Sequence, residues 1–160
     1  MSNSNLKNTK NVALISLGIE DRSEESVKLV LEAFEDSFCM RGEAFFSTRE
    51  LEKFLFDLRK FPIAEYDYPS LSGGHFDDKG ECILTENLHM SVSQFNKLGL
   101  LAFRVRAFTP HPSIADQNIG FGGQCAYFFG YESLNKFCDE FQLLISNDRS
   151  FFEFKEFAYI

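Results

Sequence analysis

The chain has 160 residues, of which 44% are hydrophobic and 25% charged, with a net charge of −8. These figures exclude collagen-like, low-complexity and disordered classes. The acidity argues against a nucleic-acid-binding face, and no apolar run approaches the roughly 20 residues of a membrane helix. The length suits one domain able to bury roughly 70% of its unfolded surface without disulfide or metal staples. The oddity is aromatic: 20 Phe, 5 Tyr and no Trp.

The first ten residues, MSNSNLKNTK, are polar and read as a disordered arm without the apolar stretch of a secretory signal. Residues 11–160 read as the single domain. Asn11 to Ile19 is an apolar run ending at an acidic cluster that begins with Glu20 and Asp21, which predicts a strand and a turn. From Ser26 to Phe34, Val27, Leu29, Leu31 and Ala33 alternate with Lys28, Val30, Glu32 and Phe34, the period of a strand, although the Glu and Leu content would also suit a helix. Phe38 to Phe46 predicts a third strand, interrupted at Arg41-Gly42.

Ser47-Thr48-Arg49-Glu50 has the form of a capping box, in which Ser47 and Glu50 satisfy each other's backbone N–H groups. Leu51, Phe54, Leu55 and Leu58 then share one helical face, and Pro62 stops the helix, which spans roughly 48–60. Residues 62–80 read as mostly loop, closing with the hairpin turn Asp77-Asp78-Lys79-Gly80. Further strands are expected at Glu81–Met90, Gly99–Phe108 and Phe121–Phe129. In the middle one, Leu101, Phe103, Val105 and Ala107 oppose Ala102, Arg104, Arg106 and Phe108, apolar on one side and partly basic on the other. Leu134, Phe137, Cys138, Phe141 and Leu144 place a second helix at about 131–146. The closing stretch carries Phe151, Phe152, Phe154 and Phe157, too apolar to stay in water, and is expected to dock on the domain or on a partner. Successive strands without helices between them argue for an α+β fold: a mainly antiparallel β-sheet with two amphipathic helices packed on it.

Chemistry-bearing motifs are sparse. His75, His89 and His111 lack a second His or Cys at metal-ligand spacing, so no metal or other cofactor is expected. No G-x-S-x-G elbow is present. Gly120-Phe121-Gly122-Gly123 lacks the Lys and following helix of a phosphate loop, and reads as a bulge or tight turn entering a strand. Cys39, Cys82, Cys125 and Cys138 are widely spaced and read as buried thiols of a cytoplasmic protein, with two disulfides of a secreted domain as the lesser alternative. Acidic loop residues offer a recognition surface for a basic protein partner, and the candidate binding residues are Glu65, Asp67, Asp77, Asp78 and Glu81.

Several of these segments resemble a known family. A strand leads into Ser47-Thr48-Arg49-Glu50-Leu51-Glu52-Lys53-Phe54 and a helix continuing through Leu58. An acidic-Gly turn lies between strands at Asp77–Gly80. An aromatic strand runs into Tyr131-Glu132-Ser133-Leu134-Asn135-Lys136-Phe137 and Leu143-Leu144-Ile145. Over about residues 25–146 this resembles the WapI-type family of small bacterial toxin-immunity proteins. The arm and the Phe-rich tail fall outside it. The resemblance carries over no catalytic residue. It implies a cytoplasmic antidote that blocks a toxin by stoichiometric binding. The rival expectations are a small hydrolase using His75 with nearby carboxylates, and an assembly subunit pairing with a second copy through its aromatic tail.

Overall fold

The structure is a computed structural model that describes residues 13–81 and 83–158. The expected arm over residues 1–10, the first residues of the expected opening strand and Cys82 lie outside the described residues. Eight strands and two helices follow in the order β1 (Ala13–Arg22), β2 (Ser26–Glu35), β3 (Phe38–Ser47), α1 (Thr48–Leu58), β4 (Ser70–Phe76), β5 (Ile83–Gln94), β6 (Leu101–Pro110), β7 (Gly120–Phe129), α2 (Tyr131–Ile145) and β8 (Phe151–Phe154). The fold is α+β, with every strand pairing antiparallel. Among the described residues no helix is long and apolar enough to cross a membrane.

The strands form two sheets, ordered β3-β2-β1-β8 and β4-β5-β6-β7, where the sequence pattern suggested one. The reason is the connection: α1 and the segment 59–69 separate β3 from β4, so the chain begins a second sheet. β3 passes across that second sheet. Its first residue, Phe38, lies against Gly123 of β7, and its last turn-ward residues, Ala44 and Phe46, lie against Gly73 of β4. At its middle, a Cβ on Gly42 would stand 2.1 Å from the Asn87 carbonyl oxygen of β5. Gly42 therefore does not interrupt β3, as its sequence suggested. It permits two backbones to meet where any side chain would hold them apart. A strand crossing a facing sheet at a steep angle is the geometry of orthogonal sheet packing.

Local chemistry accounts for most other boundaries. The capping box is present: Ser47 Oγ accepts from Glu50 N at 3.2 Å, and Glu50 Oε2 accepts from Ser47 N at 2.7 Å. β1 runs through Glu20 and Asp21 to Arg22, because the end of the β1–β2 hairpin faces solvent and tolerates charge. Arg22 gains a task there. Its guanidinium donates to the carbonyls of Leu144 (2.9 Å) and Ile145 (3.1 Å), satisfying the C-terminus of α2, which has no basic residue in its own last turn. The hairpin turn at Asp77 also forms, with Gly80 at φ +70° donating to the Asp77 carbonyl at 2.9 Å.

Three further expectations need correction. Residues 62–80 contain β4, whose Leu71 is its one buried large side chain and whose glycines hide the strand pattern. Gly120, Gly122 and Gly123 sit in regular register with Pro110, Phe108 and Ala107, so they mark neither a bulge nor a tight turn. Of the described cysteines, only Cys138 is buried; Cys125 is half-buried and Cys39 exposed.

One hydrophobic core joins both sheets and both helices. Phe137 of α2 stands at its centre, 5.2 Å from the Phe103 ring of β6 and 5.6 and 5.5 Å from Phe152 and Phe154 of β8. Phe54 of α1 meets Phe141 of α2 edge-on at 6.0 Å. The aromatic tail docks on its own domain. β8 pairs with β1, placing Phe152 opposite Leu17 and Phe154 opposite Ile15. Phe157 then stacks on Tyr127 of β7 at 4.5 Å, and Ala158 N donates to the Phe128 carbonyl at 2.6 Å. The tail thus straps the edge of one sheet to the edge of the other.

Candidate binding surface

The acidic residues singled out from sequence do not form one site. Glu65 and Asp67 lie in the segment before β4; Asp77, Asp78 and Glu81 lie in the turn after it. The seven residues of β4 hold the two groups about 20 Å apart. All are exposed except Asp77, which is half-buried and builds the turn: its Oδ1 accepts from Glu81 N at 2.8 Å. His75 is exposed, with Nε2 2.8 Å from Gln117 Oε1, and no ion pair reaches it among the described residues. Among the described residues no cluster of His, Cys, Asp and Glu is arranged to hold a metal.

The strongest convergence of polar groups lies elsewhere, on the outer face of the β4–β7 sheet. Both helices serve the other side of this sheet, where Leu101, Phe103 and Val105 are fully buried. Antiparallel register then does the assembly. Ser72 of β4 stands opposite His89 of β5, His89 opposite Arg106 of β6, and Arg106 opposite Gln124 of β7. One step along, Ser91 stands opposite Arg104, and Arg104 opposite Ala126. With Tyr68 from the segment before β4, these residues line a cavity of about 500 Å³.

Two halves of the cavity differ. At one side Arg106 Nη2 pairs with Glu86 Oε1 at 2.9 Å, and Glu86 Oε2 lies 3.6 Å from His89 Nδ1. Ser72 Oγ is 2.6 Å from the same Nδ1. Burial pushes the His89 imidazole below its ordinary pKa of 6.5; Glu86 opposes this and Arg106 adds to it. His89 is therefore neutral at neutral pH. A hydroxyl and a carboxylate on one ring nitrogen do not make a nucleophilic triad, which needs them on opposite nitrogens. At the other side Arg104 Nη1 donates to Ser93 Oγ at 2.5 Å and has no carboxylate partner among the described residues.

One aromatic residue lines the cavity and two more pair elsewhere in the same sheet region. Tyr68 is partly exposed beside the cavity, and Phe95 is half-exposed where it meets Phe128 edge-on at 4.8 Å. Sequence reasoning saw the basic alternation of Arg104 and Arg106 but not this site. Nothing in a linear pattern says that Ser91, on the preceding strand, stands across from Arg104. No family model, curated protein or solved structure matches this chain.

Proposed function

We propose that this chain is a non-catalytic immunity protein that neutralises a cognate bacterial toxin in the cytoplasm by stoichiometric binding. The observation that carries the reading is the outer face of the β4–β7 sheet: four strands wide, left uncovered by both helices, with the partly exposed Tyr68 lining a polar cavity and Phe95 half-exposed in the same sheet region. Aromatic anchors around a few placed polar groups are the composition of protein-recognition surfaces. The net charge of −8 adds long-range attraction for a basic toxin domain and speeds its capture. The resemblance in the cap, turn and helix segments supports the same reading. The tail gives less support to self-assembly, because Phe152 and Phe154 are consumed in the chain's own core. A hydrolase on His75 draws no support from an exposed ring held by an amide.

The test is co-expression with toxin domains encoded beside this chain's gene. One of them should lose its lethality and elute with this protein as an equimolar complex. Protection at a large molar deficit of this protein would mean turnover and overturn the stoichiometric reading. Failure to protect against any neighbouring toxin would overturn the immunity reading itself.

A further inference from the structure

We propose that the Arg104 side of the outer-face cavity is a receptor for a single carboxylate, supplied by an acidic side chain of the protein partner. The identity of the occupant as a side chain rests on the binding function proposed above; the chemistry of the pocket does not.

Unspent hydrogen-bonding capacity carries the argument. Ser91 is 1% exposed and lines the cavity, yet its hydroxyl makes no hydrogen bond among the described residues. Among the described residues the fully buried side-chain atom left without a partner is Asn87 Oδ1, not Ser91 Oγ; the Ser91 hydroxyl keeps contact with the cavity and is free to bond what enters it. Arg104 stands directly across from Ser91 on β6 and uses its guanidinium only toward Ser93. Tyr68 and Gln124, both exposed, also line the cavity. Arg104, Ser91, Tyr68 and Gln124 thus border one space whose lining contains no carboxylate.

Charge selects the acceptor. Arg106 is neutralised by Glu86, and His89 is uncharged at neutral pH. Arg104 is then the one uncompensated cation of the lining. A carboxylate carries one negative charge and matches the planar guanidinium fork. A phosphate carries roughly two, and would leave excess negative charge beside Glu86 in an already acidic protein. The partly exposed Tyr68, which lines the cavity, is suited to contact the apolar stem of a protein side chain, which a free ion lacks. An acidic residue on an otherwise basic toxin domain would set the register of the complex, while the acidic remainder of this chain draws the domain in.

The experiment is an NMR titration of the isolated protein at low ionic strength. The probes are N-acetylglutamate α-methylamide, its glutamine isostere and inorganic phosphate. The glutamate probe should saturate, moving the Arg104 Nε–H and His89 ring signals, with the isostere and phosphate about tenfold weaker or more. Arg104→Gln should weaken the glutamate probe about tenfold, and Ser91→Ala should weaken it less while leaving Arg104 in place. Absence of saturation, phosphate binding as tightly as the glutamate probe, or undiminished binding to Arg104→Gln would each overturn the proposal. Because no toxin is present, this result is independent of the co-expression result: either can fail while the other stands.

Discussion

The outer faces of the two sheets dispose of their arginines differently. On the β3-β2-β1 face, Arg41 lies 2.7 Å from Glu32 and 2.9 Å from Glu20, and Lys28 lies 2.9 Å from Glu43. Hydrogen bonds to these carboxylates raise both pKa values, with Glu20 the leading cause for Arg41 and Glu43 for Lys28. On the β4–β7 face, Arg106 has Glu86, but Arg104 has only a serine hydroxyl. The difference is made by the strand across the ladder. Arg41 stands opposite Glu32, whereas Arg104 stands opposite Ser91 and Ala126. A face whose charges pair among themselves is ordinary solvated surface. On the other face a guanidinium without a carboxylate stands across from an unbonded serine hydroxyl.

Both faces rest on one core, and the largest expected effect tests that. Phe137→Ala removes a fully buried ring that touches β6 of one sheet and β8 of the other, and should cost about 4 kcal/mol in urea unfolding. A loss below about 1 kcal/mol would show the sheets to be independently supported. Next in size, Gly42→Ala should destabilise by about 2 kcal/mol, because its Cβ forces β3 away from the Asn87 carbonyl. Thermal unfolding of this variant reads the closeness of the sheets directly.

The arginines themselves give smaller effects of different character. Arg41→Ala should cost less than about 1 kcal/mol, since its pairs are solvent-exposed, and the cost should shrink as salt is added. Arg104→Ala should change stability less still and show no such salt dependence, because it breaks no ion pair; parallel denaturation at low and high salt separates the two. The smallest effect belongs to His89. Its folded pKa lies below 6.5, so between that folded value and 6.5 the unfolded chain binds more protons than the folded one. Stability should therefore fall as pH drops below about 6.5. His89→Gln should flatten that part of the pH profile, measured by unfolding midpoints across it.

Elements built from nearest neighbours were legible in the sequence. The capping box, the Asp77–Gly80 turn, the two helical stripes and most strands depend on contacts within a few residues, and each has its own pattern. β4 was not legible, because Ser70–Phe76 is short and its Gly73 exists to admit Phe46 and Ala44 from a strand of the other sheet. The candidate site failed to show for a related reason. Acidic residues attract notice by adjacency, but Asp67 and Asp77 sit at opposite ends of β4, while Ser91 and Arg104 meet only through the β5–β6 register. Ser91 is unremarkable as a letter; the register turns it into the cavity across from Arg104.

The sequence by itself determined an antiparallel α+β protein, its helix boundaries, its acidic balance and the need for its aromatic tail to be buried. Periodicity and capping are local, and the hydrophobic effect acts on any apolar segment wherever it lies. Only the tertiary structure decided that the strands divide into two crossed sheets and that the tail straps one to the other. It alone decided that Arg104 stands across from a serine and an alanine and not from a carboxylate. Those outcomes depend on contacts between residues far apart in the chain, and pairwise register across a ladder leaves no periodic trace in either strand.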